Sequence, residues 1–107
     1  MTFNERVEEK FHEFDDVMEL IKDDGKKILI ADVLMEYCHI HVQLQDINEA
    51  IIEDGTTVTG SSGQPMRNPD LQTQHALRSE KTTLMGKLIK LLPDGEVKDA
   101  LASFAGI

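Results

Sequence analysis

From Lys27 to Glu53 the chain runs without a glycine or a proline. Within that run Ile30, Val33, Leu34, Tyr37, His41, Leu44, Ile47 (or Asn48) and Ile51 recur at steps of three and four. Such spacing places one apolar stripe along a single helical face, because an α-helix returns to the same side every 3.6 residues. The pattern holds for about seven turns. Asp54-Gly55 then ends it, glycine being suited to the left-handed conformation that follows a last turn. A single long helix is the element around which the rest must fit.

A second stripe follows at Leu71, His75 (or Gln74), Arg78, Thr82, Met85, Leu88 and Leu92, with Leu77, Leu84 and Leu91 adjoining. Its start is marked by Asn68 as N-cap, Pro69 at the first helical position and Asp70 in the first turn. Pro93 ends it. Gly86 weakens this helix by about 1 kcal/mol against alanine and marks a candidate close helix crossing. Between the two helices lies GSSGQPMRNPDLQ, positions 60–72, preceded by Thr56–Thr59, which suits a short extended piece. The glycines, serines and Pro65 are turn residues. The predicted fold is therefore all-α. A long antiparallel hairpin spans residues 27–92, with its loop over 55–68.

Shorter helices flank the hairpin in one domain of 107 residues. Phe3, Val7, Phe11, Phe14, Met18 and Ile21 form one face of an N-terminal helix within residues 1–24, with Gly25 as its stop. Val97, Leu101 and Phe104 form a small face within a C-terminal helix over 94–107. The stripes of the hairpin look too long for these two helices to cover. Self-association is expected, with Tyr37, Leu44, Ile51, Leu84, Met85 and Leu88 as candidate subunit-packing residues.

Charge divides the chain. Residues 1–53 carry five Lys/Arg against fourteen Asp/Glu, a balance of −9, whereas residues 54–107 carry six of each sign. An acidic balance disfavours non-specific attraction to nucleic acid or anionic membranes. Residues 67–90 run against that trend: Arg67, Arg78, Lys81, Lys87 and Lys90 face Asp70 and Glu80, a local +3. Lysine and arginine at helical spacing can contact nucleic-acid phosphates, and can equally be ordinary solubility charge. The single cysteine, Cys38, excludes an intramolecular disulfide framework and fits a reducing compartment. No basic start is followed by an apolar h-region, and no apolar run approaches the ~20 residues that span a bilayer. A cytoplasmic protein with no membrane partner is expected.

No constellation for catalysis stands out. In Cys38-His39-Ile40-His41 only Cys38 and His41 share a face, too few to close a zinc site. Adjacent pairs such as Asp15-Asp16 do not face one another on a helix. The serines lack a His-Asp pattern, and Gly60–Gln64 has no Gly-Lys-Ser/Thr sequel for a phosphate loop. The expectation is a non-enzyme without metal or cofactor.

Residues 31–92 carry a further signal. Asp32 opens the first long helix, Leu34 and Tyr37-Cys38 follow, and Glu49-Ala50-Ile51 leads to Gly55. A polar loop with Gly63 then closes on Asn68-Pro69 before a second, leucine-rich helix. This arrangement resembles the phage terminase small-subunit family. The resemblance implies a non-catalytic, oligomeric adaptor of the host cytoplasm, a ring being the family's assembly. It would recognise double-stranded viral DNA and hand it to the large ATPase/nuclease subunit for packaging. On that reading Arg67, Arg78, Lys81, Lys87 and Lys90 are the candidate DNA contacts. Residues 1–24 are acidic where the family carries Lys/Arg, and Leu92-Pro93-Asp94-Gly95 replaces its Leu-Thr-Pro. The rival reading is a small acidic helical regulator or DNA mimic acting through its N-terminal helix.

Overall fold

The structure, a computed structural model, describes residues 1–92 together with Gly95 and Asp99. Four helices dominate it: α1 (Phe3–His12), α2 (Asp15–Glu19), α3 (Asp24–Asp54) and α4 (Asp70–Leu91). Two short strands, β1 (Thr57–Thr59) and β2 (Pro65–Arg67), join α3 to α4. The helix expected over 94–107 lies, but for those two residues, outside the described part.

The hairpin is present, and α3 is longer than the periodicity suggested. Its 31 residues reach about 46 Å. Asp23 caps it by accepting the Lys26 N–H at 2.9 Å. Gly25, expected as a stop for the preceding helix, instead sits in the first turn of α3. A carboxylate that satisfies an orphan N–H outweighs the modest cost of a glycine beside it. Gly55 has φ of 84° with an extended ψ and donates to Ile51 at 2.7 Å, closing the helix in a positive-φ conformation that only glycine adopts readily.

The connection is more ordered than a polar loop. Thr57 pairs with Arg67, Val58 with Met66 and Thr59 with Pro65 in an antiparallel ribbon. Gly63, at φ 81°, sits in the turn between them. Pro65-Met66-Arg67 carries no alternation that would announce a strand, and proline is tolerated because each strand has a free edge. Asn68 fastens the ribbon to both helices. Its amide donates to the Gly55 carbonyl at 2.8 Å, and its oxygen accepts the Asp70 N–H at 3.0 Å. Pro69 already has helical angles, so Asn68 acts as the cap the sequence suggested.

Cross-bonds fix the antiparallel register. Gln74 donates to Asn48 at 2.7 Å, and Lys81 contacts His41 at 3.2 Å. The same register sets Leu88 opposite Leu34 and Met85 opposite Tyr37. All four are buried.

The expected single N-terminal helix is broken at Glu13-Phe14, where N–H groups reach back three residues to Lys10 and Phe11. The break allows Phe14 to be wholly buried, edge-on to Tyr37 at 6.3 Å, while Val17, Met18 and Ile21 enter the same core. Helix α3 is thus covered from two directions, by α4 and by α1–α2. That explains why Cys38, Ile40 and Val42 are buried off the predicted stripe. Among the described residues no buried side-chain polar atom lacks a partner.

Gly86 does not mark a helix crossing. It is exposed, and a Cβ there would meet nothing within 4 Å. Gly86→Ala is therefore expected to stabilise the protein by about 0.5–1 kcal/mol through the helix propensity and the unfolded chain. Urea denaturation checks it. A loss of stability would mean the space beside Gly86 is occupied.

Candidate nucleic-acid interface

The five candidate DNA contacts do not form one patch. Arg67 ends β2 and lines an open cleft of about 430 Å³ at the hairpin tip, with Asn68, Leu71 and His75. Arg78 and Lys81 project from α4 into a cleft of about 390 Å³ against α3. Lys87 lies roughly half a helical turn around from Arg78, and Lys90 beside it, on the exposed outer face of α4. Helical spacing of three joined Arg78 to Lys81, and nine separates Arg78 from Lys87.

Lys81 is the most constrained of these cations. Its amine points at His41 Nδ1 at 3.2 Å and lies 5.3 Å from the centre of the Tyr37 ring. Burial and the positive charge of Lys10 lower its pKa. Among the described residues neither Lys81 nor Arg78 has a carboxylate within ion-pair distance. By contrast, Arg6 is held by Asp46 at 2.7 Å and by Gln45 at 3.1 Å, and Lys10 by Glu13 at 2.7 Å. These cations of α1 line a neighbouring cleft of about 490 Å³ that also contains Glu9 and Glu13. Charge there is balanced, whereas among the described residues the α3–α4 cleft is lined by no Asp or Glu.

His41 lines both clefts. Burial, then the charges of Lys81 and Lys10, lower its pKa from 6.5 to about 4, with Glu13 acting in the opposite sense. At neutral pH its Nδ1 therefore accepts from Lys81 and its proton sits on Nε2. Cys38, one turn away, is fully buried, and that burial pushes its thiol up to about 12. The pair is packing and hydrogen bonding, with the thiol held in its inert form.

His41 makes the stability of the protein depend on pH. The unfolded chain takes up its proton near 6.5 and the folded chain only near 4, so protons favour unfolding between those values. Stability is full above about pH 6.5 and falls as the pH drops toward 4. The side chain is half-exposed, so the loss should be on the order of 1–2 kcal/mol. His41→Gln keeps an acceptor for Lys81 and should flatten this part of the stability curve. An unchanged curve in that variant would reassign the acid sensitivity to other groups.

The structure places most of the subunit-packing candidates inside a single chain. Tyr37, Leu44, Leu84, Met85 and Leu88 are all buried in the core of this chain, because their stripes face each other and the α1–α2 unit. Only Ile51 remains half-exposed. The large apolar side chains left outside are elsewhere, including Ile28 (67 % exposed), Leu29 (50 %) and Ile89 (38 %). Ile28 and Leu29 lie early in α3 and Ile89 in the last turn of α4, all toward the end of the hairpin away from the β-ribbon.

The profile of one protein family, described as "Phage terminase, small subunit", matches residues 12–92. That span is about three quarters of the chain. The chain belongs to the phage terminase small-subunit family. Neither a curated protein nor a solved structure matches it. The family span takes in the whole hairpin and its β-ribbon, and begins at His12, so nearly all of the acidic helix α1 lies outside it. Among the described residues of this family member, no helix is long and apolar enough to cross a membrane.

Sequence reasoning missed Gln45 and Asn48, which line the α3–α4 cleft beside Arg78 and Lys81. Both are polar residues near the stripe of a long helix, one (Asn48) admitted to it only as an alternative to Ile47. A polar residue at a stripe position facing a cationic stripe position was the available signal.

Proposed function

We propose that the protein is a non-catalytic adaptor of viral genome packaging, which self-associates, engages double-stranded DNA and presents it to the large terminase subunit. The family match over residues 12–92 carries this reading. The charge arrangement supports it: on an acidic chain the α3–α4 cleft is edged by Arg78 and Lys81 and, among the described residues, lined by no carboxylate. DNA contact centres on that pair, with Arg67 extending it toward the hairpin tip. Lys87 and Lys90 lie on another face and are assigned to solvation.

Self-association uses the end of the hairpin away from the β-ribbon, where Ile28, Leu29 and Ile89 are each exposed. Burying them between copies removes apolar surface from water, worth roughly 25 cal/mol per Å². Sedimentation should show an assembly for the wild type and a smaller species for Ile28→Glu. A wild-type monomer at tens of micromolar would remove this part of the proposal.

Co-expression with a terminase large subunit from the same genome tests the role itself. The adaptor reading requires that the two copurify, and that the complex retains DNA better than the large subunit alone. Capture of a host protein through α1, with no large subunit, would instead establish the acidic-regulator reading.

A further inference from the structure

We infer that the α3–α4 cleft is a seat for a single phosphate oxyanion, held by Arg78, Lys81 and the side-chain amides of Gln45 and Asn48. The inference deepens the packaging reading and depends on it only for the source of the phosphate. Its basis is the hydrogen-bond inventory of the cleft. The Gln45 carbonyl oxygen is occupied by Arg6 at 3.1 Å, and the Asn48 oxygen by Gln74 at 2.7 Å. Each amide therefore keeps its NH₂ for a ligand. His41 accepts from Lys81 at Nδ1, which leaves the ring an N–H at Nε2. Lys81 has three N–H groups and uses one on His41. Arg78 contributes a planar fork of donors.

The groups that line this space thus offer donors, and among the described residues no carboxylate lines it to compete for them. Leu44, nearly buried, gives it an apolar side. A ligand suited to the site is an acceptor with several oxygens and negative charge, which describes a phosphate, whether free or as a diester with its non-bridging and ester oxygens. Two cations without a carboxylate partner also give the protein a reason to bind one: an oxyanion relieves the repulsion that Lys10 exerts on Lys81. The volume, about 390 Å³, admits a phosphate with its ester substituents, so a free phosphate and a DNA phosphodiester share the required chemistry.

The test uses isosteric variants. Asn48→Asp and Gln45→Glu keep the oxygens that bind Gln74 and Arg6 but replace the donor with a negative charge. Side-chain amide NMR signals of Gln45 and Asn48 are followed during titration with inorganic phosphate at constant ionic strength, with chloride as control, and then with a short duplex. The expected result is saturable shifts with phosphate and not chloride, weakened about tenfold or more in either variant and in Arg78→Gln. Urea midpoints near wild type show that the variants still fold. The same shifts with duplex identify the phosphodiester as the ligand. Shifts with phosphate but none with duplex also uphold the seat and assign it a free phosphate. Equal responses to phosphate and chloride, or wild-type affinity in both isosteric variants, overturn it. Copurification with the large subunit is read separately, so the adaptor role can stand when the seat fails.

Discussion

Phe14→Ala should lower the stability of the protein by about 3–5 kcal/mol, and Leu88→Ala by about 3–4 kcal/mol. A domain of this size is held by only about 5–15 kcal/mol, so either change consumes a large part of the margin. Both side chains have no exposed surface. They act at different joints. Leu88 lies opposite Leu34, in the seam that closes α3 on α4. Phe14 sits at the break between α1 and α2, edge-on to Tyr37 and 5.7 Å from the Lys10 amine, and ties the acidic N-terminal unit to the hairpin. A cavity at either position loses the transfer free energy of the side chain and the contacts of the atoms that lined it. Urea denaturation at fixed protein concentration measures both, since self-association adds a concentration-dependent term. A shift under about 1 kcal/mol for both variants would mean that the three-way core is not packed as described. If Phe14→Ala also lowers the m-value, the N-terminal unit has detached while the hairpin persists.

The hairpin was legible because its two stripes are long and its punctuation is chemically specific. Gly55 and Asn68-Pro69-Asp70 act at the helix ends as local chemistry predicts. The β-ribbon was half legible: Thr57–Thr59 looks extended, whereas Pro65–Arg67 pairs only because Asn68 and Gly63 fold the chain back on itself. The break at Phe14 was hidden, since the 3.6-residue period continues across it. Tertiary burial of Phe14 decided it. The expectation of a long uncovered stripe failed for a related reason. Periodicity shows that Tyr37, Leu44, Leu84, Met85 and Leu88 want burial, but cannot say whether a second helix of the same chain supplies it. For the site, the spacing of Arg78 and Lys81 was readable, while Gln45 and Asn48 needed the register of one helix against the other.

That register yields the sharpest functional expectation. Each phosphate neutralised by the protein lowers the slope of log K against log salt by about 0.9 on duplex DNA. If Arg67, Arg78 and Lys81 make the contacts, the slope per protomer is about −2.7, and affinity falls about 40-fold between 50 and 200 mM salt. Adding Lys87 and Lys90 would give about −4.5 and a fall of about 500-fold. An assembly multiplies the absolute slope by the number of subunits engaged, so the ratio between variants is the diagnostic. Arg78→Gln combined with Lys81→Gln should reduce the slope to about a third of wild type, because two of three contacts are gone. Lys87→Gln combined with Lys90→Gln should leave it unchanged, as those lysines lie half a turn away on the outer face of α4. Urea midpoints of both double variants are read alongside, since Lys81 also bonds His41 and lies over the Tyr37 ring. Equal losses from the two double variants would show that DNA wraps α4 from both sides. A loss confined to the Lys87/Lys90 variant would move the interface to the outer face and leave the cleft to another ligand.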